Sequence, residues 1–202
     1  MKKIFPTLSL IALASAATCA SAKDGYYSYY DQHGHHQHSG FYLSIGAGIE
    51  STTMEGEADG STFSTAIDGD TGLQGAIKIG GSLNQNVQLY GGYLFGTSTI
   101  DDYTYATGLV GVGVNLFPSN SDLFAEGLIG MSGFSLAYND SEEEDTWSMD
   151  PGVGVSLGLG YQLAKYVEIT GRFMFYTLSN PDVSGIDYSV KQFGLTVSLC
   201  LY

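Results

Sequence analysis

Hydrophobic and polar residues alternate with a period of two through most of the chain. Along 41–49 the odd positions are Phe41, Leu43, Ile45, Ala47 and Ile49, and the even ones are Tyr42, Ser44, Gly46 and Gly48. Successive side chains of a strand point to opposite faces, so this pattern predicts a strand with one apolar face. The alternation recurs in Leu73, Ile77, Ile79, Leu83, then in Val87, Leu89, Tyr93, Phe95, and then in Val110, Val112, Val114, Leu116. It continues in Leu123, Ala125, Ile129, Met131, in Val153 to Tyr161, in Val167, Ile169, Phe173, Phe175, and in Phe193 to Leu201. Eight strands are predicted.

Their connections alternate in length. Short links fall at Asn84 to Asn86, at Phe117 to Ser121 and at Ala164-Lys165; long ones fall at about 51–72, 97–103, 136–150 and 179–187. Two hairpins share a spacing, Gly80-x-x-Leu83-x-x-x-Val87-x-Leu89-x-Gly91 and Gly160-x-x-Leu163-x-x-x-Val167-x-Ile169-x-Gly171. An even strand number, with short turns on one side and long loops on the other, predicts an all-β fold, an eight-stranded antiparallel up-and-down β-barrel over 40–202.

Periodicity alone does not say which face is inside. The polar face reads Ser44, Gly46, Gly48, then Gln74, Ala76, Gly80, then Gly111, Gly113, then Gly154, Ser156, Gly158, Gly160. A water-facing surface carries interspersed charge, as that of a soluble lipocalin-like barrel would. These small residues suit a crowded interior instead, which puts the band of Val, Leu, Ile and Phe in lipid. A sheet in lipid must close, because its backbone groups have no water to bond. Beyond the first residues no apolar run reaches the roughly 18 residues of a spanning helix, so the barrel is expected to be transmembrane.

The N-terminus reads differently. Lys2 and Lys3 precede an apolar stretch, Ile4 to Ala17, and Ala20-Ser21-Ala22 supplies small residues for cleavage, so 1–22 is expected to be an export signal peptide. Thr18 before Cys19 argues against lipoprotein processing, and Cys200 is then the one cysteine left, which excludes an internal disulfide. Residues 23–39 form a Tyr/His-rich leader with no aliphatic residue, expected to be disordered and periplasmic. Its His33, His35, His36 and His38 are candidate metal ligands. Nothing in the leader fixes a geometry, so a solvated tail is the plainer reading.

Composition narrows the function. The chain carries 21 Asp and Glu against 7 Lys and Arg, a net charge of −14, and removal of Lys2 and Lys3 takes it to −16. Only Lys78, Lys165 and Arg172 are basic within 40–180, too few and scattered for a phosphate-binding stripe, which excludes nucleic acid.

On the signal peptide, the opening Gly40-Phe41-Tyr42-Leu43-Ser44-Ile45-Gly46-Ala47-Gly48, the two hairpins and the aromatic C-terminus Tyr202, the chain resembles the small eight-stranded bacterial outer-membrane barrels. These include the OmpA transmembrane domain, OmpX and the opacity-type surface proteins. Tyr202 departs from that pattern, since Leu201, Leu199, Val197, Leu195 and Phe193 carry the apolar parity of the last strand. The resemblance implies periplasmic termini, long loops outside the cell and assembly by the outer-membrane insertion machinery. It also implies outer-membrane lipids and lipopolysaccharide as surroundings, and a monomer is expected.

Sixteen acidic residues fall in or at the edges of the long loops, among them Glu50, Glu55, Glu57, Asp68 and Asp70. Asp140, Glu142 and Glu144 are weak candidates for a divalent cation, as is Asp68-Gly69-Asp70, but neither segment has calcium-loop spacing and a solvated surface is the plainer reading. The barrel region contains no histidine, so catalysis is not expected. No cofactor is expected either. Four charges sit on the polar face, Lys78, Glu126, Glu168 and Arg172, and are expected to form an interior ion network. The expected role is therefore structural or interactive at the cell surface, with a side-chain-filled interior. A small-solute or hydrophobic-substrate pore is the alternative, because the glycines on that face would leave space.

Overall fold

The computed structural model describes residues 40–58, 60–100, 103–118, 121–138, 146–180 and 185–201. Segments 1–22 and 23–39, with His33, His35, His36 and His38, lie outside the described residues, as do Asp140, Glu142, Glu144 and Tyr202.

The strands are β1 (Phe41–Ala58), β2 (Ser61–Asn84), β3 (Val87–Ile100), β4 (Tyr103–Leu116), β5 (Leu123–Tyr138), β6 (Thr146–Ser148), β7 (Gly152–Ala164), β8 (Val167–Ser179) and β9 (Ile186–Leu201). Eight of them make a closed antiparallel wall in the order β1, β2, β3, β4, β5, β7, β8, β9, and β9 pairs back onto β1 from Leu43↔Leu201 to Ala58↔Ile186. The short strand β6 pairs with β5 alone, above the end of β7. Among the described residues no helix is long and apolar enough to cross a membrane, which has no bearing on crossing by strands.

The end that holds Gly40 and Leu201 also holds the short turns, and we call it the lower end. Asn86 bonds its own turn through Asn84 Oδ1, at 2.8 Å, and reaches the carbonyl of Phe117 at 2.7 Å, which ties two turns together. The shared hairpin spacing has a structural cause. In β2–β3 the register slips between Ser82 and Asn84, and in β7–β8 between Gln162 and Ala164, so Leu83 and Leu163 are each the extra residue of a β-bulge.

The upper end departs from expectation. The segments at 51–72 and 97–103 are largely strand rather than loop: β1 runs to Ala58, β2 starts at Ser61, β3 reaches Ile100 and β4 starts at Tyr103, whereas only parts of 136–150 and 179–187 lie among the described residues. The apolar alternation stops near Ile49 because Ser51, Thr53, Glu55 and Glu57 take over the outward face, while the backbone ladder continues. A strand that has left a lipid layer needs hydrogen bonds but no apolar face.

The faces divide as the alternation predicts. Leu73, Leu157, Leu159 and Leu199 point outward and are 66%, 64%, 66% and 67% exposed, whereas Ser44, Lys78, Ser156 and Glu168 are fully buried inside. A belt of this kind is suited to lipid, not water. The interior is less uniformly polar than its sequence suggests. Met54, Ile67, Leu94, Leu109, Phe134, Met149, Leu178 and Val190 belong to a buried apolar cluster. Ile67 enters it through a second irregularity, where Thr53 pairs with Asp68 and Glu55 with Ser64, so three residues of β2 stand opposite Met54.

Candidate functional site

Among the described residues, buried charge and hydrogen-bonding groups from several strands converge in the barrel interior. At the lower level, Glu126 of β5 pairs with Lys78 of β2 and, at 3.0 Å, with Nε of Arg172 on β8. All three side chains are buried. Arg172 Nη1 donates to Thr196 Oγ1 on β9 at 2.8 Å, and the ammonium of Lys78 lies 5.4 Å from the ring centroid of Tyr90 and 6.0 Å from that of Tyr42. The hydroxyl of Tyr42 reaches Glu168 Oε2 at 3.4 Å. Glu126 is thus shared by both cations, while Glu168 is approached from Tyr42. Because β2, β5 and β8 are spread around the wall, these bonds cross the lumen instead of running along it.

A second crossing was not foreseen. The Gln192 amide on β9 donates to Glu50 Oε1 at 3.1 Å and lies 2.9 Å from Oγ1 of both Thr52 on β1 and Thr107 on β4. Gln74 of β2 donates to Glu50 Oε2 at 3.2 Å. Glu50, expected at a loop edge, is an interior residue that is 3% exposed. The signal was present: Glu50 continues the even parity of Tyr42, Ser44, Gly46 and Gly48. Its charge alone suggested a loop. Gln74, Gln88, Asn115 and Gln192 belong to the same interior set, and Asn115 donates to Gln88 Oε1 at 3.2 Å.

The expectation that interior glycines leave open space is corrected by their neighbours. A Cβ at Gly113 would run into the ring of Tyr90, one at Gly160 into the ring of Phe124, and one at Gly96 into the carboxylate of Glu50. Each glycine is the recess that admits a large side chain from another strand, the adjacent one for Gly113 and Gly160 and the next but one for Gly96. Tyr90, Phe124 and Leu128 thus occupy the room that the glycine count implied was empty.

Outside the wall, Lys191 and Glu55 form an ion pair at 2.7 Å near the upper end, partly exposed. Such a pair contributes about 0–1 kcal/mol and marks where polar surface replaces the apolar belt. Cys200 is a free, buried thiol. Among the described residues no group of three or more His, Cys, Asp or Glu is arranged to hold a metal ion.

Comparison of the whole fold with solved structures finds small outer-membrane barrels. The attachment invasion locus protein Ail of Yersinia pestis matches at 13% identity and a TM-score of 0.52, covering 80% of this chain and 99% of that one. Neisserial surface protein A matches at 13% identity and a TM-score of 0.52, covering 80% and 97%. The outer membrane protein AlkL, solved by solid-state NMR in DMPC bilayers, matches at 13% identity and a TM-score of 0.50, covering 89% and 97%. No protein-family model and no curated protein matches the chain. The fold is thus a closed eight-stranded antiparallel β-barrel of the outer-membrane type.

Proposed function

We propose that the protein is an integral barrel of the bacterial outer membrane, of the OmpA, OmpX and opacity-like kind, with a structural or interactive role at the cell surface and not that of a conduit. The observation that carries this reading is the pair of side-chain braces that cross the lumen, Glu126 with Lys78 and Arg172 below and Gln192 with Glu50, Thr52 and Thr107 above. An eight-stranded barrel is just wide enough for side chains to fill. Here those side chains are bonded to one another, so a solute would have to break a buried ion network and an amide network in turn. The apolar cluster around Leu94, Leu109, Phe134 and Leu178 fills much of what is left.

Location in lipid follows from the outward belt of Leu157, Leu159, Leu195, Val197 and Leu199. Its partners are then membrane lipids and lipopolysaccharide, with the insertion machinery reading β9. The acidic residues near the upper end, Glu55, Glu57 and Asp68 among them, would form a negative rim towards the medium, open to an extracellular ligand. No histidine lies within 40–202, and the interior amine of Lys78 is engaged by Glu126.

Two measurements test the reading. Cell fractionation is expected to place the protein in detergent-extracted outer membrane. In planar bilayers the purified barrel is expected to give no stable single-channel current, and reproducible open channels in the wild type would overturn the closed-interior role.

A further inference from the structure

The fully buried charges among the described residues are two cations, Lys78 and Arg172, and three carboxylates, Glu50, Glu126 and Glu168. Both cations pair with Glu126. Glu50 takes part in none of the ion pairs, and the groups against its oxygens are neutral: the amides of Gln192 and Gln74 and the hydroxyl of Thr52. The interior is therefore one positive charge short. A buried carboxylate without a counter-charge is costly, so something must neutralise it.

Other atoms around it are also incomplete. Gln74 Oε1 and the hydroxyls of Tyr105 and Tyr176 are buried without a hydrogen-bond partner, on residues no more than 3% exposed. The Tyr105 hydroxyl lies against Thr52 and that of Tyr176 against Thr107. These are the two threonines that share the Gln192 amide with Glu50. One carboxylate and several neutral oxygens thus face a common region, and what they lack is a positively charged, oxygen-seeking species.

We propose that the upper brace holds one monovalent metal cation of the sodium or potassium class, bound by Glu50 with the oxygens of Thr52, Thr107, Tyr105, Tyr176 and Gln74. A single positive charge restores neutrality. Calcium is usually held by several carboxylates, and here only one is fully buried. Asp70, paired across from Thr52 on the side of the upper mouth, has one carboxylate oxygen buried without a partner and marks the route of entry.

The test follows melting of the refolded barrel in detergent at constant ionic strength, with sodium, potassium or the bulky cation N-methylglucamine as chloride salts. Wild type is expected to melt higher in the alkali salt, since a ligand at 100 times its Kd shifts the folding equilibrium about 100-fold. Glu50→Gln is expected to abolish the difference while still folding, and Tyr105→Phe to weaken the response. Crystals soaked in rubidium or thallium(I) are expected to show an anomalous peak beside Glu50, and this readout needs only the wild type. Equal melting of the wild type in all three salts, or the same response in Glu50→Gln, would overturn the proposal. So would melting that follows pH but not the cation, because Glu50 would then be neutralised by a proton.

Discussion

The amide nitrogen of Gln192 on β9 lies 2.9 Å from the hydroxyl of Thr107 on β4, the strand four places away in either direction around the eight-stranded wall. One side chain thus joins diametrically opposite walls. Gly194, on β9 itself, and Gly96, on β3 beside β4, leave recesses for Gln74 and Glu50, the side chains packed around this contact. Sequence to packing is a direct step here: glycine on one strand permits a long polar side chain from the strand two places away, and the long side chain closes the lumen.

Replacing Gln192 by Ala removes the donor shared by Glu50, Thr52 and Thr107 and leaves those acceptors buried. An unsatisfied buried polar group costs about 1–3 kcal/mol. The variant is expected to show a lower melting temperature by heat-modifiable gel migration, and brief current fluctuations in planar bilayers where the wild type gives none. A silent bilayer together with unchanged melting would mean that the brace is dispensable.

The lower network predicts an order of effects. Glu126 is the shared carboxylate, so Glu126→Gln leaves both Lys78 and Arg172 uncompensated, whereas Arg172→Leu still leaves Glu126 with Lys78. Removing one member of a buried ion pair costs about 3–5 kcal/mol. Melting temperatures are therefore expected to fall in the order wild type, Arg172→Leu, Glu126→Gln. The reverse order would place the main partner of Arg172 elsewhere, with Glu168 the first residue to examine.

Glycine substitutions separate recess from open space. Gly133 has nothing near the position a Cβ would take, while at Gly113 that position is filled by the Tyr90 ring and by backbone of β5. Overpacking a filled interior costs about 1–3 kcal/mol. Gly133→Ala is expected to refold with wild-type yield and Gly113→Ala to refold poorly, as counted by the fraction of heat-modifiable protein.

Much of this architecture was legible in the sequence because a barrel in lipid needs an unbroken apolar parity on its outer face. Val153, Val155, Leu157 and Leu159 announce β7 with no help from tertiary structure. The same reasoning failed where the constraint lapses. Above Ile49 the outward residues are Ser51, Thr53, Glu55 and Glu57, which read as loop although the ladder continues. The interior was half legible. Lys78, Glu126, Glu168 and Arg172 stood out as charges on the small-residue face, but Leu94, Leu109, Leu178 and Val190 lie inside too, and apolar residues on the inner parity carry no distinguishing mark. Glu50 was misplaced because an acid near other acids suggests solvent. Its partner Gln192 gave no signal, since its role depends on a strand 85 residues away in sequence.

The proposed orientation of the barrel can be tested at its two ends. The lower end holds both described chain ends and the short turns, and the upper end carries Glu55, Glu57 and Asp68. An epitope inserted after Glu143 is expected to bind antibody on intact cells, and one inserted at Gln85, in the β2–β3 turn, only after permeabilisation. Surface labelling at Gln85 would invert the assignment.

The outward face carries the largest consequence, because the membrane location and every interior argument depend on which parity meets lipid. Leu157 and Leu159 are 64% and 66% exposed, whereas Ser156, between Leu157 and Val155, is fully buried. In a lipid-embedded barrel, arginine at either leucine places a charge near the bilayer midplane at a cost of about 2–4 kcal/mol, with smaller penalties towards the interfaces. Leu157→Arg is therefore expected to fold less completely into lipid vesicles than Leu163→Arg, because Leu163 sits beside the lower turn at Lys165-Tyr166. Ser156→Asn changes no charge and is expected to act only by crowding the interior. If the outer face met water instead, both arginine variants would fold as well as wild type, and the wild type would stay in solution without detergent. Folding yields of the three variants in vesicles, set against the solubility of the wild type, decide between the two environments.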